Sequence, residues 1–176
     1  MPQEVTLTDI APQPGIAYIG LGSNLGDRRA NLCAAANAIG RLANVSLRRR
    51  SGLYESPAQD VPSAQPDYLN AVLEIRTSLT PNALWSALAE IERQLGRVRP
   101  ANQVNAPRTI DLDLLLYDDV RLDSAELTLP HPRILTRAFV VTPLRELGVE
   151  KVGSVALATH RLPAHSIATR SKFRWL

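Results

Sequence analysis

The order of short apolar runs and helical repeats along residues 16–117 constrains the fold of this chain more than any other feature. The run IAYIGLG (16–22) has the length and boundaries of a buried strand, and it ends in a turn rich in glycine and polar residues, Gly22-Ser23-Asn24-Leu25-Gly26. Past Asp27, a suitable helix N-cap, Leu32, Ala35, Ala36, Ile39 and Leu42 recur at three- and four-residue steps and define one apolar face. Val45 to Tyr54 reads as a second strand, and Tyr68 to Thr77 alternates as a third. Thr80-Pro81 opens a second helix, with a hydroxyl cap followed by proline at the first helical position. Leu84, Leu88, Ile91 and Leu95 carry its apolar face, and Gly96 ends it. Thr109 to Tyr117 is a fourth strand. The order β-α-β-β-α-β predicts an α+β fold, a ferredoxin-like α/β sandwich with a largely antiparallel sheet. The two helices of that pattern share one face.

Between these elements lie segments that cannot be regular. SPAQDVPSAQP (56–66) holds three prolines and is a long loop, and Arg97 to Arg108 is a second, basic one. Beyond the fourth strand, Asp118-Asp119 is a turn, Val120 to Leu122 a short return, and Leu127 to Arg133 an extended stretch stopped by two prolines. Ile134 to Leu147 reads as a helix bent or started late around Pro143. A length of 176 residues suits one domain, placed at 16–150. Residues 1–15, with three prolines, read as a flexible leader. Residues 151–176 carry five Lys/Arg and no Asp or Glu, which leaves 3 − 5 = −2 on the first 150. The high pI therefore belongs to this basic segment of unknown role, for which a solvated end is the expectation, and it does not argue for a nucleic-acid partner.

No apolar run approaches the 18 residues of a membrane span, and the first residues lack the basic and apolar regions of a secretory signal. With Cys33 as the only cysteine, the chain fits a reducing, cytoplasmic setting.

The sharpest chemical feature is Arg108-Thr109-Ile110-Asp111-Leu112-Asp113. On a strand, Asp111 and Asp113 share a face about 7 Å apart, while Leu112, Leu114 and Leu116 point to the other. Two adjacent carboxylates on a buried strand repel each other and need a cation to stay ionised together. Oxygen-only ligands suit Mg²⁺, which commonly takes one or two carboxylates plus substrate phosphates. Arg97, Arg99 and Arg108 supply the cations that a polyphosphate requires. His131, set between prolines, and Arg137 add a second polar cluster. Tyr68 and Asn70 share a face at a strand start, where an aromatic beside an amide suits a flat, hydrogen-bonding ring. The glycines near 20–26 satisfy neither the P-loop nor the dinucleotide pattern, and no Cys/His spacing suits zinc.

These residues sit in six blocks: LGSNLGD (21–27), LYESP (53–57), QPDYLNAV (65–72), IERQLGRVR (91–99), PRTIDLDLLLY (107–117) and LTLPHPRILTRAF (127–139). In order and spacing they resemble the 6-hydroxymethyl-7,8-dihydropterin pyrophosphokinase family of folate biosynthesis. The resemblance implies diphosphate transfer from ATP to the hydroxymethyl group of the pterin, giving AMP and the pterin diphosphate, with two Mg²⁺ and mobile catalytic loops. It implies that Asp111 and Asp113 ligate both metals and that Arg97 and Arg108 act on the triphosphate. Glu92, Arg99, His131 and Arg137 would bind ATP. Gly22, Ser56, Pro57, Tyr68, Asn70 and Phe139 would form the pterin pocket, with Tyr68 and Phe139 sandwiching the ring. Asn105, Ala106 and Pro132 depart from the family pattern, and 149–176 has no clear counterpart in it. The implied partners are these two small molecules, with no membrane, and a monomer is the expected state. A two-metal phosphodiesterase and a ferredoxin-like nucleic-acid module remain the competing readings. The first lacks further carboxylates or histidines near the pair, and the second lacks strand aromatics.

Overall fold

In the computed structural model, which describes residues 13–59, 64–98 and 106–176, the chain runs β1 (Gly15–Ser23), α1 (Arg28–Gly40), β2 (Val45–Arg50), β3 (Tyr54–Ser56), β4 (Tyr68–Thr77), α2 (Pro81–Gln94) and β5 (Asp111–Tyr117). A small hairpin, β6 (Leu122–Asp123) with β7 (Thr128–Leu129), leads through a 3₁₀ turn at Ile134–Thr136 to α3 (Ala138–Glu146). A second hairpin, β8 (Lys151–Val152) with β9 (Val155–Ala156), and a last strand, β10 (Thr169–Arg170), complete it. Both helix starts follow the sequence: the Asp27 carboxylate accepts from the Ala30 N–H, and the Thr80 hydroxyl from the Ala83 N–H. Caps of this kind are worth about 1 kcal/mol each.

The main sheet is antiparallel, in the order β10-β3-β4-β1-β5, with β2 also paired to β4. Alternation along β1 sorts the molecule into layers. Ala17, Ile19 and Leu21 join Leu32, Ala35, Ile39, Leu84, Leu88 and Ile91 from α1 and α2 in the larger core. Tyr18 faces the opposite, smaller core, where α3 lays Val140, Val141 and Leu144 on Val72 and Leu115. Helices thus cover both faces, α1 and α2 on one and α3 on the other.

Several sequence expectations are corrected. The strand expected over 45–54 is broken, because Arg50 pairs with Leu73 and Tyr54 with Asn70: four steps on one side oppose three on the other. Ser51 bridges the break, its hydroxyl accepting from and its N–H donating to Val72, both at 2.9 Å. The fourth strand begins at Asp111, two residues late, and the Thr109 hydroxyl instead donates to the Leu95 carbonyl at 3.2 Å. In the same strand a bulge intervenes: Ile19 pairs with Leu114 and Tyr18 with Leu116, which leaves Leu115 extra. Leu116 therefore joins Leu115 in the smaller core, away from Leu112 and Leu114, and Tyr117 turns to the larger one. The return at 120–122 does not run back along β5; Leu122 pairs with Leu129 in the separate hairpin. Pro143 lies inside α3, and it is the entry at Ala138 that comes late.

The segment after residue 150 is not a solvated end. Val152 and Leu157 are buried in the smaller core, and Phe173 and Trp175 pack against the larger one. β10 pairs with β3, and the Trp175 indole N–H donates to the Ser51 carbonyl at 2.7 Å. Gly15, assigned from sequence to the leader, already pairs in β1 with Thr77, and residues 1–12 of that leader lie outside the described residues. No described helix is long and apolar enough to cross a membrane.

Candidate active site

The α3-facing side of the sheet builds the site from three neighbouring strands. Gly22 pairs with Asn70 on one side and Asp111 on the other, and Gly20 pairs with Val72 and Asp113. Asn70, Gly22 and Asp111 thus form one row across the sheet, with Val72, Gly20 and Asp113 beside it. The two glycines keep this floor flat. A Cβ at Gly22 would stand 3.2 Å from the Asn70 side-chain oxygen, and one at Gly20 would stand 3.4 Å from Leu115. At Gly22 it is space, and not backbone conformation, that favours glycine.

Two cavities open above this floor. The first is a slot whose lining includes Gly22, Ser56, Pro57, Tyr68, Asn70 and Phe139, the six residues that the family resemblance grouped into one pocket. Asn70 is 4% exposed, and its amide donates to the Ser56 hydroxyl at 3.0 Å and the Tyr54 carbonyl at 3.3 Å. The second, of about 330 Å³, is polar and is lined by Glu92, Arg97, His131 and Arg137. Four residues border both: Arg108, Asp111, Asp113 and Arg137. Arg99 lies outside the described residues, as does Asn105.

The border is dense in charge. Arg97 pairs with Asp111 Oδ1 at 2.6 Å and also with Glu92, while Arg108 reaches Asp111 Oδ2 at 3.1 Å. Arg137 stands 4.0 Å from Asp113. Burial, and then the Asp111 charge, push the pKa of Asp113 above the ordinary carboxylate range. Asp113 therefore resists ionising beside the Asp111 carboxylate. His131 goes the other way: burial, and then the Arg137 and Arg133 charges, lower it to about 4. It is neutral at pH 7, and its Nδ1 accepts from the Arg133 N–H at 3.2 Å. Glu92, 3% exposed, also accepts from the Leu112 N–H at 2.7 Å, so it braces the β5 edge beside the polar cavity.

Sequence reasoning missed five contributors. Trp85, 38% exposed, lines the polar cavity, although its i+4 partner Ala89 and the α2 repeat concealed it among surface positions. Glu126 and Arg133 line the same cavity from irregular segments. Gln59 lines the slot, and its side-chain nitrogen is buried with no hydrogen-bond partner among the described residues. Asn24 was read only as part of a turn. It is 2% exposed, and it donates to the Gln65 side chain and the Pro66 carbonyl at 3.2 and 3.3 Å while bonded to the Arg108 backbone.

A ferredoxin-like sheet carrying an aromatic-walled slot against a basic, carboxylate-edged cavity is an α+β arrangement that fits a transferase acting on two small molecules. Residues 18–149 match the family described as 7,8-dihydro-6-hydroxymethylpterin-pyrophosphokinase (HPPK), and the chain belongs to that family. Its activity is the pyrophosphokinase reaction of folate biosynthesis. Among its relatives is a 2-amino-4-hydroxy-6-hydroxymethyldihydropteridine pyrophosphokinase of Synechocystis, 40% identical over 148 residues, 84% of this chain and 74% of that protein. One of the same name from Haemophilus influenzae is 43% identical over 136 residues, 77% and 83% of the two chains. The Plasmodium falciparum HPPK-DHPS crystal structure with pteroate shares the fold with a TM-score of 0.61 at 14% identity, covering 83% of this chain. The chain spans 41% of the length of that structure.

Proposed function

We propose that the slot takes 6-hydroxymethyl-7,8-dihydropterin, that the polar cavity takes ATP, and that diphosphate passes between them at the border. The observation that carries this is the sharing of Arg108, Asp111, Asp113 and Arg137 by both cavities. A ring in the slot and a triphosphate in the cavity would meet only there. Asn70 and Gln59 offer the ring edge polar groups, and Tyr68 and Phe139 offer it aromatic faces. Arg97, Arg108 and Arg137 hold the phosphates. The neutral His131 contributes a directed ring nitrogen without a charge, and Glu92 keeps Arg97 aimed into the cavity.

The donor set also suits magnesium. Among the described residues no cluster of three or more His, Cys, Asp or Glu gathers, so an all-protein cage is absent. Two carboxylates at the mouth of a phosphate cavity are what Mg²⁺ accepts when the substrate supplies the remaining oxygens. Asp111 and Asp113 would hold two such ions, which when bound would neutralise triphosphate charge and align the reacting oxygens. Arg97 and Arg108, now on Asp111, would turn to the phosphates as the metals take their place.

The attack is in-line. The pterin hydroxyl oxygen forms a bond to the β-phosphorus, the bond from that phosphorus to the α,β-bridging oxygen breaks, and AMP leaves while the hydroxyl proton goes to solvent. No covalent enzyme intermediate is needed, so catalysis rests on positioning and charge stabilisation. Ser56, Pro57 and Gln59 line the slot and Arg97 and Arg108 line the polar cavity; closure of the two long loops that carry them would exclude water and so suppress ATP hydrolysis.

The free, buried Cys33 supports a reducing cytoplasmic setting. The deciding experiment is AMP release from ATP and Mg²⁺ with and without hydroxymethyldihydropterin. Release that depends on both the pterin and the metal is expected. Equal AMP formation without pterin, or turnover that survives complete chelation, would defeat the assignment.

A further inference from the structure

Residues 160–171 grip the two elements that wall the slot. α3 carries Phe139 on one wall, and its entry has no cap of its own: the residue before it, Arg137, makes no side-chain capping bond. The Ala138 N–H, between Arg137 and Phe139, instead donates to the hydroxyl of Ser166 at 2.7 Å. Ser166 is 8% exposed, and it reaches α3 from 28 residues further along the chain. His160 adds a 2.6 Å contact from its Nε2 to the Leu135 carbonyl, just before that entry.

Arg170 ties the far end of α3 to the opposite wall. Its guanidinium lies 3.0 Å from Glu146 Oε1, while Glu146 Oε2 accepts from the Gly52 N–H and the Tyr54 hydroxyl at 2.8 and 2.9 Å. The same guanidinium lies 5.8 Å from the centre of the Tyr54 ring. Gly52 makes room for it, since a Cβ there would come within 2.7 Å of the Arg170 Nη2. Arg170 pairs with Tyr54 and Thr169 with Glu55 in the sheet, and the Ser171 hydroxyl donates to Glu55 at 3.0 Å. The next residue of β3 is Ser56, which receives the Asn70 amide at the slot.

We infer that residues 166–171 form a strap that sets the separation of the two slot walls, with Ser166 and Arg170 as positioning residues for the pterin. Neither side chain lines the slot. Ser166 fixes where α3 begins, and so where Phe139 stands; Arg170 fixes β3 and the far end of α3 together. This inference rests on the slot being the pterin site.

The test is steady-state kinetics of Ser166→Ala and Arg170→Met beside the wild type, with KM for pterin and for ATP measured separately and folding followed by thermal melting. Loss of the buried hydrogen bond in Ser166→Ala is expected to raise the pterin KM about five- to tenfold, with the ATP KM moving about twofold or less. Arg170→Met is expected to raise the pterin KM about threefold, since half-exposed ion pairs contribute less. Ser166→Thr keeps the acceptor oxygen and is expected to restore the pterin KM. A pterin KM that stays put, both KM values moving together with the melting temperature, or no rescue by threonine would overturn the inference and leave the site reading standing. Absence of pterin-dependent turnover in the wild type would instead remove the site reading, and this inference with it.

Discussion

Asn24 and Arg108 hold each other through two hydrogen bonds: the Asn24 side-chain oxygen accepts from the Arg108 N–H at 2.8 Å, and the Asn24 N–H donates to the Arg108 carbonyl at 3.1 Å. The amide nitrogen of the same side chain reaches Gln65 and the Pro66 carbonyl. One buried residue at the end of β1 thus anchors the bases of both long loops. Asn24→Ala should lower kcat about ten- to a hundredfold and destabilise the fold by about 1–3 kcal/mol, because it strands buried polar partners. Asn24→Asp, which keeps the acceptor for Arg108 but loses the donor, should fall between. Urea melts and kinetics on the two variants check this, and wild-type turnover in Asn24→Ala would show that the loops need no such anchor.

Removing either carboxylate of β5 should nearly abolish turnover. Asp111→Ala and Asp113→Ala are each expected to lose about a thousandfold or more in kcat, as the proposed metal-assisted transfer requires. Both should still fold, because the two side chains face the cavities and not the cores. Circular dichroism and magnesium titration separate the two effects. Wild-type rates from both variants would take the metal away from this strand.

Arg108 sits on the border and already contacts Asp111. Arg108→Ala should reduce kcat far more than it weakens pterin affinity, since its proposed target is the transferring phosphate. Isothermal titration with pterin beside single-turnover kinetics gives both numbers. Intact kcat with lost pterin binding would move Arg108 from the phosphate to the ring.

His131 gives a pH signature. Its pKa falls from 6.5 to about 4 on folding, through burial first and then Arg137 and Arg133. Between these values the unfolded chain binds a proton that the folded chain refuses. The stability this allows is complete above pH 6.5 and declines as the pH drops toward 4. Denaturant melts at pH 4.5 and 7.5 should therefore differ less in His131→Asn than in the wild type. An equal pH dependence in both would mean that the imidazole is protonated in the folded state.

Much of the site was legible because the chemistry is local. Asp111 and Asp113 share a face through strand geometry alone, and the Asp27 and Thr80 caps act within one helical turn. What escaped was set by partners distant in sequence. Trp85 occupies an ordinary helix position until β5 and the 126–133 stretch wall a cavity in front of it. Asn24 reads as a turn residue until residues 65–66 and 108 arrive beside it.

The sequence by itself determined the ferredoxin-like order of elements, the two helix starts, the acidic face of β5 and the family blocks, because periodicity, capping and turn chemistry operate over a few residues. Only the tertiary structure decided that Leu115 bulges and sends Leu116 to the second core, that Ser51 splits a strand in two, and that the basic segment packs into the fold with Ser166 at the entry of α3. Each of these depends on strand register and on close packing between segments far apart in the chain. A bulge costs nothing in the sequence pattern of its own strand; it is forced by the partner across the ladder, and a cavity exists only where several such partners stop short of one another.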